Sequence, residues 1–322
     1  MKKIKVSVLL LCVLFLISAV GCASESDGGK RYVAIIAKSV NSDFFRNMKN
    51  GADSAATEYN VDITFEGPEN EEDYETQNAL IEKAVKNGAD AIVLSAIDYK
   101  KTNSAVEKAV KNGVKVITAD SGVSSELVSQ FIGTDNFQAG IAAGKAAIDG
   151  FYENTEIRIG LVNYTETTDN GRRREEGFRE AISAASNVTV VDTVTVESNT
   201  ESAKNGALEL IRKDPKINVL VGFNEWMTLG IGEAIRELGA GDRIRTVGFD
   251  TNILSVSMLE TGEMDALIVQ NPFAIGYLGV KNAAAFIGGE QPQEKEVYTA
   301  VTTVTKNNMF DDSIQKILFS FT

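Results

Sequence analysis

The sequence predicts an α/β protein of two similar lobes, each built on a doubly wound parallel sheet. Short β-branched apolar runs alternate with amphipathic segments along most of the chain, which is typical of repeated βα units. The seven residues EKAVKNG occur at 82–88 and again at 107–113, each time ending a helix and leading into an apolar strand. A second repeat relates KVITADSG, at 115–122, to IRTVGFDT, at 244–251. These repeats indicate a duplicated architecture.

Composition narrows the class of protein. The chain has 322 residues, enough for two domains, and a formal net charge of −13 that disfavours nucleic acid as a partner. Histidine is absent, and both cysteines, Cys12 and Cys22, lie near the amino terminus. The commonest general base and metal ligand are therefore missing, as is any thiol in the folded body. We expect no catalytic residues, no cofactor and no metal site.

The amino terminus predicts export from the cytoplasm. A short basic start is followed by an apolar run that is too short for a comfortable membrane span. The small residues before Cys22 resemble a bacterial lipobox, in which the cysteine becomes the lipidated first residue. Residues 1–21 are then a signal peptide, and residues 22–30 hold the lipidated cysteine and a flexible tether. Plain secretion after cleavage near Gly21, or a retained anchor helix, is the alternative.

The first half of the chain reads as alternating strands and helices. Its strands are rich in Val and Ile, and its helices carry apolar residues three and four positions apart, with several ending at glycine. The strands are predicted at 32–37, 61–65, 91–94, 116–118 and 131–133, and the helices at 43–58, 74–86, 103–111 and 137–149.

The second half repeats this pattern. All four prolines fall at the edges of predicted elements, where a missing backbone donor is tolerated. Strands are predicted at 157–162, 188–196, 218–222, 245–249 and 266–269, and helices at 172–185, 201–213, 226–238 and 253–261.

Parallel strands place their carboxyl ends at one edge of a sheet, where ligands of open α/β folds bind. Asp120 and Asp250 each follow such a strand, one in each half. Two strands that each end in a carboxylate suggest two sheets whose crevices face one ligand.

Nine short segments carry a more specific signal. They are KSVNSDFF (38–45), GPENEEDYETQ (67–77), DAIVLSAID (90–98), VITADSG (116–122), TDN (134–136), RREEGF (173–178), GFNE (222–225), VGFDT (247–251) and VQNPFAIGYLG (269–279). In this order they resemble the periplasmic sugar-binding proteins of the ribose and galactose type, which serve ABC importers.

The resemblance implies the type I periplasmic binding protein fold, whose two lobes are joined by a hinge of three crossovers and close on one sugar. It assigns residues 31–134 and 271–297 to the amino-terminal lobe. It assigns residues 135–270 and 298–322 to the carboxyl-terminal lobe.

The same resemblance implies a set of ligand contacts. Sugar hydroxyls call for carboxylates and amides as acceptors, Lys and Arg as donors, and aromatic faces against the ring. Of Phe44 and Phe45, one is expected to belong to the core. Trp226 either stacks on the sugar or is buried. The full set is Lys38, Phe44, Phe45, Asp120, Ser121, Arg172, Asn224, Trp226, Asp250 and Gln270.

The expected function is capture of a monosaccharide, a pentose or a hexose, by an extracytoplasmic lipoprotein. The protein, expected to be a monomer, would hand the sugar to an ABC permease at the outer face of the membrane. A sensory receptor read by a membrane histidine kinase is the alternative. A regulator of the lactose-repressor kind shares the fold, but it would carry a DNA-binding domain where this chain has an export signal.

Overall fold

The computed structural model describes residues 30–319. The predicted signal peptide and the lipidation site at Cys22 lie outside these residues. In chain order the strands β1 to β12 are Tyr32–Ile36, Asp62–Glu66, Ala91–Leu94, Lys115–Ala119, Gln130–Thr134, Ile157–Tyr164, Val188–Val196, Val219–Gly222, Arg245–Phe249, Ala266–Val269, Glu296–Thr299 and Thr302–Thr305. The helices α1 to α10 are Asp43–Glu58, Tyr74–Lys86, Asn103–Lys111, Asn136–Ile148, Asp169–Ile182, Thr200–Lys213, Glu225–Leu238, Ile253–Thr261, Pro272–Ile287 and Asp312–Leu318.

The strands form two sheets, which confirms the predicted fold class. The first has the order β11-β5-β4-β3-β1-β2 and is parallel throughout. The second has the order β12-β10-β9-β8-β6-β7 and is parallel except for β12, which pairs antiparallel with β10. Each sheet is the core of one lobe, and the carboxyl ends of its strands carry the candidate site.

The chain crosses between the lobes more than once. It leaves the first sheet between β5 and α4, returns between β10 and α9, and crosses again between β11 and β12. Gln270 therefore lies at the second crossing. The predicted elements end at residue 269, and the structure adds α9, β11, β12 and α10.

Helices cover both faces of the first sheet, because its strands are apolar on both sides. Val33 and Ile35 of β1 point into one apolar cluster, and Ala34 and Ile36 point into the other. Continuous apolar strands of this kind are typical of parallel sheets buried on two faces. None of the helices within residues 30–319 is long and apolar enough to cross a membrane.

Glycine allows one pair of helices in each lobe to pack backbone against backbone. A Cβ on Gly276 of α9 would lie 1.9 Å from the carbonyl oxygen of Met48 in α1. A Cβ on Gly140 of α4 would lie 2.0 Å from the carbonyl oxygen of Arg174 in α5. The second contact holds α5, which carries several groups of the candidate site, close against α4.

Candidate functional site

Asp120 and Asp250 occupy matching positions in the two lobes. Each follows a central strand and has a left-handed backbone, with φ of 63° and 68°. The backbone N–H of Asp120 donates to Ile132 O at 3.0 Å, and that of Asp250 donates to Ile268 O at the same distance. A left-handed φ costs a non-glycine residue about 1–2 kcal/mol. Residues with this backbone conformation cluster at functional sites. The sequence repeat therefore extends to the local backbone geometry.

Asp120 is the centre of a buried network. Its Oδ2 accepts from Ser95 Oγ at 2.7 Å and lies 3.7 Å from Lys38 Nζ. Its Oδ1 accepts from Asn170 Nδ2 at 3.2 Å. Asn170 Oδ1 in turn accepts from Lys38 Nζ and from the Tyr164 hydroxyl, each at 2.9 Å. Because Asn170 and Tyr164 belong to the second lobe, this network joins the two lobes.

Asp250 is buried in the second lobe beside the crossing. Its Oδ1 accepts from Gln270 Nε2 at 2.6 Å. Burial raises the pKa of Asp250. Arg174 and the hydrogen bond from Gln270 lower this pKa, and the charge of Asp120 raises it. Because Asp120 acts on the pKa of Asp250, both carboxyls lie around one buried region.

The arginine in this region is Arg174. It is 1 % exposed, its Nε donates to Asn136 Oδ1 at 2.8 Å, and its Nη1 donates to Phe223 O at 2.7 Å. Its guanidinium carbon lies 4.6 Å from the centre of the Phe249 ring. A planar cation held on three sides in this way presents its remaining N–H groups in a defined direction.

Arg172, which the resemblance favoured, lies elsewhere. Its side chain is 46 % exposed and pairs with Asp169 at 2.9 Å and Glu176 at 2.6 Å. Residues two apart in a helix lie about 200° apart around the axis, so Arg172 and Arg174 face opposite sides. Of these two arginines, Arg174 is therefore the one buried near the two aspartates, and a role for Arg172 at the ligand stays a prediction. The predicted helix start at 172 is also late, because α5 begins at Asp169.

Several buried polar atoms of this region have no hydrogen-bond partner among residues 30–319. Buried polar groups in proteins are rarely left this way, which makes these atoms candidates for ligand contacts. The side chain of Asn224 shows the division clearly, since its Oδ1 accepts from Met227 N at 3.0 Å and its Nδ2 has no partner. The atoms around the two aspartates are Arg174 Nη2, Asn224 Nδ2, Gln270 Oε1 and Ser121 Oγ.

The aromatic candidates have different positions. Phe44 and Phe45 are both buried in the apolar cluster of the first lobe, with ring centres 5.2 Å apart in an edge-to-face arrangement. Trp226 is half-buried against the core of the second lobe. Its Nε1 donates across the interface to Glu71 Oε1 at 3.1 Å. Trp226 therefore lies where the two lobes meet.

Two buried glutamates also lie at the interface. Burial raises the pKa of Glu71 to about 7, against the effects of Lys38 and of the bond from Trp226. Burial likewise raises the pKa of Glu225 to about 7, partly offset by the bond from Asn252. In the part of the chain that the structure describes, no group of three or more His, Cys, Asp or Glu side chains is arranged to hold a metal ion.

Some residues of this region were not identified from the sequence, namely Glu71, Ser95, Tyr164, Asn170, Arg174 and Glu225. A repeated triplet in the sequence could have pointed to Asn170. The triplet TDN occurs at 134–136 and again at 168–170, and each copy leads from a strand into a helix. The asparagines of both copies, Asn136 and Asn170, contact charged groups of the site.

Comparison with known proteins agrees with this fold. The chain is 26% identical over 311 residues to the D-ribose/D-allose-binding protein of Pseudomonas aeruginosa, covering 92% of this chain and 95% of that protein. A crystal structure of a sugar transporter from Clostridium phytofermentans has 34% identity and a TM-score of 0.78, and covers 86% of this chain and 100% of that chain. The solute-binding protein of Agrobacterium radiobacter in complex with D-arabinose has 29% identity and a TM-score of 0.87, with 90% and 99% covered.

The family model described as periplasmic binding protein domain matches residues 33–291. Proteins of this family are solute-binding components of transport systems and not enzymes, which agrees with the prediction made from the absence of histidine and of any cysteine after residue 22. With two similar parallel-sheet lobes and a buried polar region between them, the chain belongs to the periplasmic binding protein family.

Proposed function

We propose that this protein captures a monosaccharide between its lobes and delivers it to an ABC importer. In this proposal it works as a monomer outside the cytoplasm, tied to the outer face of the membrane by lipid on Cys22. The observation that carries the proposal is the pair Asp120 and Asp250. They stand at matching left-handed positions in the two lobes, around one region that holds unpartnered donors and acceptors.

The chemistry of this region suits a polyol. Asp120 and Asp250 would accept from hydroxyl pairs, and charge-assisted bonds of this kind contribute about 1.5–3 kcal/mol each. Arg174 and Asn224 would donate to ring and hydroxyl oxygens from atoms that lack a partner, and Gln270 Oε1 would accept. A hydroxyl is both donor and acceptor, so one sugar can satisfy all of these groups.

Closure of the lobes supplies the coupling to transport. Hydrogen bonds between the lobes run from Lys38 to Asn170, from Trp226 to Glu71, and from the backbone N–H of Ser198 to Glu72. A sugar that contacts both lobes at once favours the closed form over an open one, and an importer can recognise that difference. The relatives support the choice of ligand, since the similar protein from Agrobacterium radiobacter was crystallised in complex with D-arabinose.

Isothermal titration calorimetry with purified residues 23–322 tests the binding step. We expect at least one neutral pentose or hexose to bind. We also expect Asp120→Ala and Asp250→Ala to weaken that binding at least tenfold, because each removes an acceptor that water in the closed site cannot replace. Asp242→Ala, at an exposed position, is the matched control and should bind as the wild type does. Unchanged affinity in both site variants would contradict the proposal.

Transport and anchoring need their own measurements. Uptake of the bound sugar into proteoliposomes should depend on this protein when they contain the permease and ATPase encoded beside its gene. Cys22→Ala should release the full-length protein from the membrane fraction of its host without changing sugar affinity. A variant that stays in the membrane fraction would contradict the lipid anchor.

A further inference from the structure

Gln77 is a fully buried amide near the start of α2, at the end of the segment GPENEEDYETQ. Its Nε2 donates to Ala37 O and to Ser95 O, each at 2.9 Å. Its Oε1 accepts from Ile97 N at the same distance. An amide side chain has two N–H donors. Both are used within the first lobe, so Gln77 has no donor left for a ligand.

The backbone groups that Gln77 holds lie where two strands of the first sheet end. The paired part of β1 and β3 ends at Ile36 and Leu94. Ala37 and Ser95 are the next residues of these strands, and the Gln77 amide joins their carbonyl oxygens. Buried carbonyl and N–H groups need partners. The amide therefore fixes the spacing of the two loops that follow β1 and β3.

These two loops carry the first-lobe partners of Asp120. Lys38 follows Ala37 directly, and its Nζ lies 3.7 Å from Asp120 Oδ2. Ser95 Oγ donates to the same oxygen at 2.7 Å. A carboxylate has about four lone-pair sites, and the bonds from Ser95 and Asn170 use two of them. The carboxylate is thus oriented by the loops and keeps acceptor capacity for a sugar hydroxyl.

Resting on the function proposed above, we infer that Gln77 is a positioning residue of the sugar site, which acts by holding Lys38 and Ser95 at Asp120. It makes no contact with the ligand itself. Without the amide, two carbonyl oxygens and one N–H are buried unpaired, and the loops after β1 and β3 shift to satisfy them. A binding group has to be held within about 0.5 Å of its productive position, so such a shift weakens the site.

Glu71 provides a probe of where Lys38 lies. The pKa of Glu71 is raised to about 7 by burial, with added contributions from the charges of Asp120 and Glu72. Lys38 and the hydrogen bond from Trp226 act in the opposite direction. If the loop that carries Lys38 moves away, Glu71 loses a nearby cation and its pKa rises further. Because Trp226 donates to Glu71, its emission can report this change.

The test is calorimetry of the wild type, Gln77→Met and Gln130→Met against D-ribose, D-arabinose, D-xylose, D-glucose and D-galactose. Gln130 is the matched control, because it is a buried glutamine of the same sheet that bonds Glu294 O at 2.8 Å and Asn282 at 2.7 Å. It lies at the start of β5, at the edge of the sheet away from the site. Gln77→Met should weaken binding of the best sugar at least tenfold, and Gln130→Met should change it less than threefold.

A second measurement separates positioning from a general loss of stability. With the best sugar at saturation, the pH midpoint of the Trp226 emission should rise by about half a pH unit or more in Gln77→Met, because Lys38 no longer faces Glu71. The midpoint should stay the same in Gln130→Met. Glu71→Gln should abolish this step, which identifies the titrating group.

Gln77→Asn replaces Gln77→Met if the latter does not fold, and the same changes are expected, because its shorter amide cannot reach both carbonyl oxygens. Unchanged affinity or an unchanged midpoint in a folded Gln77 variant would overturn the inference, as would equal losses in Gln77→Met and Gln130→Met. Failure of the proposed function has a different signature, since then none of the five sugars would bind the wild type, and the inference would fall with it.

Discussion

The carboxylate of Glu225, in the second lobe, lies 3.3 Å from the backbone nitrogen of Phe44, in the first. The N–H of Asp43 donates to the same carboxylate at 3.4 Å, so Glu225 caps the start of α1 from the opposite lobe. Within α1 the cap is Ser42, which accepts from Phe45 N at 3.2 Å. A carboxylate is favoured at a helix start. In the lobe closure proposed above, this contact belongs to the closed form.

Glu225 predicts that sugar affinity depends on pH. In the closed form, burial raises the pKa values of Glu225 and Glu71 from 4.5 to about 7. Opening exposes both groups to water, which returns these values toward 4.5, so closure takes up protons. The advantage of the closed form is then complete below pH 4.5 and is lost as the pH rises through about 7. We expect at least tenfold tighter binding at pH 5 than at pH 8.

Calorimetry at pH 6.5 in two buffers of different ionisation enthalpy measures the proton uptake directly. The double variant Glu71→Gln and Glu225→Gln should bind with a weaker pH dependence and take up fewer protons than the wild type, the remainder coming from Asp250, whose pKa burial also raises. Glu82→Gln, at an exposed position, serves as the control. Equal heats in both buffers for the wild type would show that closure is not coupled to these carboxyls.

The two arginines of α5 predict opposite results. Arg174→Met keeps the apolar volume against Phe249 but removes the buried cation and its unpartnered N–H, so sugar affinity should fall at least tenfold. Arg172→Ala removes exposed ion pairs, which contribute about 0–1 kcal/mol, and should change affinity less than threefold. Calorimetry and thermal melting of both variants decide this. A larger effect from Arg172 would return the site to the arrangement that the family resemblance implied.

Asp250→Asn separates stability from binding. Burial raises the pKa of this carboxyl above its ordinary 3.8, so its contribution to stability is present below pH 3.8 and is lost as the pH rises through the raised value. A neutral amide avoids this cost and tolerates the left-handed backbone. At pH 7 we expect a higher Tm and at least tenfold weaker sugar binding. Asp250→Ala should have a lower Tm than Asp250→Asn, since a left-handed φ destabilises alanine by about 1–2 kcal/mol. A lower Tm for Asp250→Asn than for the wild type would contradict this explanation.

Trp226 should report closure by fluorescence. It is the single tryptophan of the sequence and donates to Glu71 across the interface. A sugar that favours the closed form should shift the emission to shorter wavelength and saturate with the Kd measured by calorimetry. Glu71→Ala should reduce the shift, because the indole loses its partner. Binding without any change in emission would mean that the environment of Trp226 does not depend on closure.

The fold could be predicted from the chain because its signals are local. Apolar runs such as 91–94, glycines after helices and the EKAVKNG repeat each act within a few residues, and together they give two βα lobes. The placement of Asp120 and Asp250 at strand ends follows from the same periodicity. The last fifty residues were less predictable, because β11 and β12 are short edge strands whose pairing partners lie far away in sequence.

The amino-acid sequence by itself determined the duplicated α/β architecture and the two matched carboxylates, since hydrophobic periodicity and turn residues are sufficient for both. Only the tertiary structure decided which arginine is buried, because the phase of α5 depends on its start at Asp169. It alone brought Asn170 to Lys38, and Glu225 to Phe44, across separate lobes. Such contacts join residues 132 or more positions apart, and no local pattern encodes a distance set by the packing of two whole lobes.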